Sequence, residues 1–157
     1  MLRVVITNRQ KEVSLPRPRF AKAARISAGD RWERGELSLV VVSGDEMCAL
    51  NREHTGRSGQ TDVLAFCLEE RHMPDDVVGE VIVNASLASM EAARRGIEPL
   101  DELTLYVVHG VLHLVGYDDD SPANRRKMYS REREVLAQLG VADIRQSARR
   151  GGRPDKS

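Results

Sequence analysis

The chain has 157 residues, and it is poor in cysteine, poor in aromatic residues and without net charge. Its two cysteines, Cys48 and Cys67, do not form a CxxC pair, and two cysteines in this length do not make a disulfide framework. We therefore expect a reduced, cytoplasmic protein in which both cysteines are small buried side chains. Aromatic residues make up only 4% of the sequence, so a base-stacking platform for nucleic acid is not expected.

The sequence also lacks a long apolar segment. Residues 103–117 form the longest uncharged stretch in the second half of the chain, but they number 15 and include two histidines. A membrane-spanning helix needs about 20 mostly apolar residues, so this stretch is typical of a buried helix in a globular domain. The N-terminal segment, residues 1–7, is too short for a signal peptide and is soon followed by Arg9 and Lys11. We expect no membrane partner.

The absence of net charge conceals an uneven distribution. The 24 basic and 24 acidic side chains give residues 1–60 a net charge of +4, residues 61–120 a net charge of −10 and residues 121–157 a net charge of +6. Neutrality therefore does not exclude a phosphate-bearing partner, because phosphate binding depends on local clusters of Lys and Arg. The candidate clusters are Arg52/Arg57, Arg94/Arg95, Arg125/Arg126/Lys127 and the basic side chains of residues 145–157.

Hydrophobic patterning predicts an α+β fold, in which about five helices pack on a small mixed β-sheet of about four strands. The predicted strands are residues 2–7, 37–42, 63–67 and 77–83, and the predicted helices are residues 20–26, 45–50, 85–95, 99–115 and 122–139. Residues 51–60 are predicted to form a polar loop. We assign residues 1–142 to a single domain and residues 143–157, which have no apolar period, to a basic disordered tail.

A candidate metal site lies at the end of one predicted helix. His109 and His113 are four residues apart, so both imidazoles project from one face of the helix. Gly116 then ends the helix and allows the chain to reverse, which leaves residues 118–120, three aspartates, within reach of the histidines. Three protein ligands and a water would form an open, catalytic zinc site. Two other interpretations stay open: the histidines are core or surface residues, and the aspartates cap the next helix.

One residue of this segment bears on the chemistry. A zinc peptidase of the HExxH type needs a glutamate directly after the first histidine as general base. That position is Gly110 in this chain, so the peptidase function loses its usual base. Glu102 or an aspartate beyond the turn is the remaining candidate for that role.

The same segment resembles the signature of a known family, the YbeY endoribonucleases, also called rRNA maturation factors. Residues 109–119 read HGVLHLVGYDD, and the family signature HGxLHLxGYDH differs from it only at the last position. Residues 50–51 (LN) and 61–66 (TDVLAF) resemble the family's LN…PT[DN]VLSF segment, and residues 79–83 (GEVIV) resemble its GDI-type strand. The likeness spans residues 37–140.

This resemblance implies a compact α+β fold and one zinc ion held by three signature histidines. It also implies cleavage of single-stranded RNA, a role at the 3′ end of small-subunit rRNA and in ribosome quality control, and the small ribosomal subunit and its proteins as partners. The metal ligands here would be His109, His113 and Asp119, and Asp118 or Asp120 would orient either a histidine or the metal-bound water. Because Asp119 replaces the third histidine, another divalent ion such as manganese becomes an alternative to zinc.

A second departure from the family concerns a cation. The family has an arginine, thought important for cleavage, at the position of Thr55. We expect Arg57 to take its catalytic role, and Arg52, Arg57, Arg125 and Arg126 to bind RNA. Two alternatives stay open: Arg52 takes the catalytic role, or both Arg52 and Arg57 are ordinary solvated arginines. The leading hypothesis is therefore a metal-dependent endoribonuclease. The alternatives are a non-nucleolytic ribosome assembly factor with a structural metal and, third, a metallopeptidase.

Overall fold

The computed structural model describes residues 1–30, 35–67 and 77–141. Four strands and five helices occupy these residues, in the order β1 (Arg3–Asn8), α1 (Arg17–Ala28), β2 (Glu36–Val42), α2 (Gly44–Thr55), β3 (Val63–Cys67), β4 (Val77–Asn84), α3 (Ala85–Arg95), α4 (Pro99–Leu114) and α5 (Pro122–Gln138). The predicted α+β class is confirmed. The predicted tail, residues 143–157, lies outside the described residues, so the domain boundary at residue 142 stays a prediction.

The four strands form one mixed sheet in the order β1-β2-β4-β3. β1, β2 and β4 run parallel to one another, and β3 is an edge strand that pairs antiparallel with β4. A parallel pair needs a crossover connection, and α1 supplies it between β1 and β2. Helix α4 packs on the part of the sheet that β3 and β4 form.

Side chains of β2 alternate between two hydrophobic clusters, as the two-residue period of a strand requires. Leu39 and Val41 enter a large core shared with α1, α3, α4 and α5. Val40 and Val42 instead join a smaller cluster with Met47 of α2. Helices therefore cover both faces of the sheet, and α2 is the described helix that packs on the second face.

Side-chain caps begin several of the helices. Oδ1 of Asn84 accepts a hydrogen bond from the backbone N–H of Leu87 (3.0 Å) at the start of α3. Oγ of Ser121 accepts one from the N–H of Asn124 (3.1 Å) at the start of α5, whose first residue is a proline. These caps fix the residue at which α3 begins after β4 and the residue at which α5 begins after the turn that follows α4.

The predicted loop at residues 51–60 is wrong in its first half. Helix α2 continues to Thr55 and ends at Gly56, which has a φ of +73°. Oγ1 of Thr55 lies 2.7 Å from the carbonyl oxygen of Asn51 and 2.8 Å from its Oδ1, so this side chain hydrogen-bonds back onto the helix. The helix therefore continues until Gly56, whose backbone N–H donates to the carbonyl oxygen of Arg52 (3.0 Å) and closes the last turn.

The expectation of two buried cysteines is also wrong. Both are free thiols, Cys67 is exposed at the end of β3, and Cys48 is partly buried beside the amide of Gln60. No helix in residues 1–30, 35–67 and 77–141 has the length and apolar character that crossing a membrane requires.

Candidate metal centre

Gly110 allows α4 to lie directly on the sheet. A Cβ atom at this position would lie 2.7 Å from Cγ1 of Val81 and 2.8 Å from Cγ2 of Val63, closer than real Cβ contacts allow. Because successive helical residues are rotated by about 100°, His109 and His113 lie on the neighbouring flank of the helix, with side chains 18% and 28% exposed. The position that an HExxH peptidase uses for its glutamate is therefore pressed against β3 and β4.

The chain reverses direction at Gly116, directly after α4. Gly116 has a φ of +104°, a conformation that L side chains rarely adopt. Hydrogen bonds from Gly116 N to the carbonyl of His113 (3.2 Å) and from Tyr117 N to the carbonyl of Leu112 (3.0 Å) close the helix end. The reversal brings the following aspartates back beside the histidines.

His109, His113 and Asp119 come together at this helix end, with one ligand atom of each within 4.8 Å of the others. Nε2 of His113 is 3.1 Å from Nε2 of His109 and 3.9 Å from Oδ2 of Asp119. Two nitrogens that bind one tetrahedral zinc ion lie about 3.3 Å apart, so the two ring nitrogens have nearly the separation that a shared ion requires. Imidazole and carboxylate are both ordinary zinc ligands, and the group could therefore bind a metal ion.

A buried glutamate of α5 holds His109 in place. Oε1 of Glu132 lies 2.6 Å from Nδ1 of His109, and Glu132 is only 1% exposed. A carboxylate accepts hydrogen bonds, so Nδ1 is the donor and Nε2 keeps its lone pair on the side of His113. Metal-binding histidines usually have such a partner on their second nitrogen. This contact is an independent sign that the residues present suit a metal.

Sequence reasoning misses Glu132, because it lies 13 residues beyond Asp119 and on another helix. A signal for it does exist in the spacing. The buried side of α5 consists of Met128, Glu132, Val135 and Leu136, so a carboxylate occupies the apolar stripe of an amphipathic helix. Carboxylates are almost never fully buried without a partner, which marks this position for a specific contact.

The two aspartates expected to orient a histidine do not hydrogen-bond one. Oδ1 of Asp118 is 4.0 Å from Nδ1 of His113, and its side chain is 64% exposed. Oδ1 of Asp120 accepts a hydrogen bond from Nδ2 of Asn124 (2.7 Å), which ties it to the first turn of α5. Glu132 therefore has the orienting position that the sequence suggests for an aspartate.

The candidate RNA-binding arginines lie in two places. Arg125 is beside the metal group, because its guanidinium donates to the carbonyl oxygen of Asp119 (3.4 Å). Arg126 follows it on the exposed side of α5. Arg52, on α2, and Arg57, in the loop after α2, are exposed, and neither guanidinium forms a hydrogen bond or ion pair with another residue that the structure describes.

Two further candidates from the sequence are not available for chemistry. Glu102 is 1% exposed, forms an ion pair with Arg95, and lies seven residues before His109, about 10 Å along the helix axis. It cannot act as the base of a peptidase at this site. Arg95 is only 10% exposed in this pair, and Arg94 pairs with Glu91 (2.9 Å), so the Arg94/Arg95 cluster is not a free phosphate site.

Comparison with known proteins decides the family. The family described as Endoribonuclease YbeY matches residues 5–140 of the chain. The chain belongs to the YbeY endoribonuclease family. A relative named Endoribonuclease YbeY from Halorhodospira halophila is 41% identical over 113 residues, covering 69% of this chain and 73% of the relative. Another from Geobacter sulfurreducens is 35% identical over 144 residues, covering 88% of this chain and 96% of the relative.

A solved structure supports the same assignment. The solution structure of TM1509 from Thermotoga maritima matches with a TM-score of 0.60 and 26% sequence identity, covering 92% of this chain and 95% of that one. Because the chain belongs to the YbeY family, the identity of the residue at position 55, a threonine, bears on the expected RNA cleavage. Its side chain is uncharged and hydrogen-bonds back to Asn51, at the position where the sequence resemblance predicts an arginine.

Proposed function

We propose that this protein is a metal-dependent endoribonuclease that cleaves single-stranded RNA, acting at the 3′ end of small-subunit rRNA and in ribosome quality control. Its partners would be the small ribosomal subunit and its proteins, in the cytoplasm. The observation that carries the proposal is the convergence of His109, His113 and Asp119 at the end of α4 in a chain of the YbeY family. The relatives that match most of the chain are named endoribonucleases.

The proposed cofactor is one zinc ion per chain, held by His109, His113 and Asp119. When bound, such an ion lowers the pKa of its water and polarises a phosphoryl oxygen. Asp119 contributes a harder ligand than histidine, so manganese is the alternative. The donor set of two imidazoles and one carboxylate is chemically suited to either ion.

The protein side chains have separate tasks in this proposal. Glu132 holds the Nδ1 proton of His109 and fixes the orientation of the ring. The guanidinium of Arg125 lies next to Asp119, where it would offset negative charge on a bound phosphodiester. Arg57 and Arg52, on the exposed surface at and beyond the end of α2, are proposed to contact RNA, with Arg57 as the catalytic cation in place of the family's arginine.

A second function has one observation in its favour. Thr55 hydrogen-bonds back to its own helix and supplies no positive charge at the position where the resemblance predicts an arginine. A non-nucleolytic ribosome assembly factor with a structural metal would need no such cation. The metallopeptidase function is weaker, since neither Gly110 nor Glu102 can supply its base.

One set of assays separates these functions. The purified full-length protein, with its metal content measured, is offered single-stranded RNA from the 3′ end of small-subunit rRNA and, separately, a peptide library. We expect endonucleolytic RNA cleavage that a chelator abolishes and added zinc or manganese restores. Cleavage by the His109→Ala variant at the wild-type rate would exclude a metal-centred nuclease.

The other outcomes of these assays would identify one of the two alternative functions. Metal binding without cleavage of RNA or peptide would establish the assembly factor. Peptide hydrolysis that the chelator stops would establish the peptidase. An Arg57→Ala variant, with Arg17→Ala as an exposed control, then shows whether the loop arginine replaces the missing one.

A further inference from the structure

A groove opens along the exposed side of α5, next to the turn that carries Asp119. Its volume is about 440 Å³, within the range of small-ligand sites. One wall comes from the turn after α4 and the other from α5, and the lining residues are Tyr117, Arg126, Lys127, Ser130, Arg131 and Glu134. None of these residues belongs to the metal group.

The groove carries two positive charges that are available to an anion. Arg131 donates to Oε2 of Glu134 (3.0 Å) and to the carbonyl of Ile26 (3.1 Å), so the charges of Arg131 and Glu134 offset each other. Arg126 and Lys127 are exposed, and within the described residues neither side chain has an ion-pair or hydrogen-bond partner. The net charge of about +2 therefore rests on these two side chains.

The groove and the metal group share the turn that follows α4. Tyr117 is two residues before Asp119 in the same turn. Arg125, which precedes Arg126 on α5, donates to the carbonyl oxygen of Asp119. The turn that carries Asp119 therefore also forms one wall of the groove.

We propose that this groove binds one nucleotide of single-stranded RNA next to the cleaved bond. Arg126 and Lys127 bind the phosphate, and Tyr117 stacks on the base. Such stacking tolerates any base, so the groove selects nucleic acid without reading its sequence. An acidic peptide would satisfy the cations but offers no base to Tyr117. This proposal rests on the proposed endoribonuclease function and adds a second contact point for the same substrate.

The test measures RNA binding by the full-length protein. A fluorescein-labelled single-stranded 12-mer is titrated by anisotropy between 0.05 and 0.3 M salt, with metal chelated so that the RNA stays intact. Each phosphate contact on a single strand contributes about 0.7 to the slope of log affinity against log salt. The Arg126→Ala/Lys127→Ala variant should therefore lower this slope by about 1.4 and weaken binding about 25-fold at 0.1 M salt.

Matched variants separate the groove from net charge and from folding. Lys11→Ala/Lys22→Ala removes the same two charges from exposed positions outside the groove, and it should cost less than about threefold. Tyr117→Phe should bind as the wild type does, whereas Tyr117→Leu should bind about tenfold more weakly. Thermal melting of each variant confirms that the fold is kept.

Several binding results would contradict the proposed nucleotide site in the groove. These are an unchanged affinity and slope in the Arg126→Ala/Lys127→Ala variant, an equal loss in the Lys11→Ala/Lys22→Ala control, and equal binding by Tyr117→Leu and Tyr117→Phe. Displacement of the RNA by polyglutamate of equal charge would show a general polyanion surface, and would also overturn it.

Cleavage kinetics distinguish this failure from failure of the proposed function. With metal present, the Arg126→Ala/Lys127→Ala variant should raise KM and leave kcat near the wild-type value, because the groove binds substrate and transition state alike. A wild-type protein that cleaves RNA alongside a variant with unchanged KM would reject the groove and keep the nuclease. A wild-type protein that neither binds nor cleaves RNA would reject both.

Discussion

The contact between Glu132 and His109 leads to a quantitative prediction about metal affinity. Glu132→Gln keeps the size of the side chain and an acceptor oxygen, but it removes the negative charge 2.6 Å from Nδ1 of His109. Loss of such a partner typically lowers metal affinity 10–100-fold. Because the amide still orients the ring, we expect about a tenfold loss for Glu132→Gln, or about 1.4 kcal/mol, and about a hundredfold loss for Glu132→Ala.

The metal-free protein should respond differently. Glu132 is 1% exposed, so its charge is costly to bury, and Glu132→Gln removes that cost. Glu132→Gln therefore leaves no unpaired buried charge. We expect its free energy of unfolding without metal to stay within about 1 kcal/mol of the wild-type value.

The assay is a competition titration of zinc against a chromophoric chelator, with thermal melting of each metal-free protein alongside. Asp118→Asn is the matched control, since Asp118 is also close to a histidine but is 64% exposed and 4.0 Å from its ring nitrogen. We expect the control to lose less than about threefold in affinity. Wild-type affinity in Glu132→Gln, or an equal loss in Asp118→Asn, would refute the positioning role.

Three further predictions concern the site, the core and the chain end. Asp119→Ala should lower metal occupancy, measured by elemental analysis. Asp119→His should restore the occupancy and increase the preference for zinc over manganese. Unchanged occupancy in Asp119→Ala would show that Asp119 is not a metal ligand. Gly110→Ala should lower the free energy of unfolding by about 1–3 kcal/mol in a denaturant titration, because its Cβ would lie 2.7 Å from Val81, and a stability equal to wild type would contradict the close packing. Truncation after Ala142 should weaken RNA binding and keep a cooperative thermal transition, and loss of that transition would show that residues beyond 142 belong to the domain.

Much of the fold follows from local signals in the sequence. The bounds of β3 and α3 agree with the predicted residues, because Asn84 and Gly96 mark the start and end of α3 and a short apolar run marks β3. The last turn of α2 does not follow so simply. Its polar residues predict a loop, whereas the stop signal that decides the helix end is Gly56, five residues later than Asn51.

The candidate metal group shows the same division between local and tertiary information. His109, His113 and Asp119 can be predicted because a helix turn and one glycine bring them together within 11 residues. The role of Glu132 depends on how α5 packs against α4, which no local pattern states. The ion pair between Glu102 and Arg95 is likewise a tertiary contact. Only in the folded chain does Glu102, a candidate base from the sequence, form a buried ion pair.

The group formed by His109, His113 and Asp119 is proposed to bind the metal on which RNA cleavage depends. The most direct measurement is the single-turnover cleavage rate of a single-stranded RNA by the wild type and by His113→Ala, each with its bound metal quantified. We predict cleavage by the metal-loaded wild type, and a loss of both metal and cleavage in His113→Ala. Cleavage at the wild-type rate by metal-free His113→Ala would contradict the account.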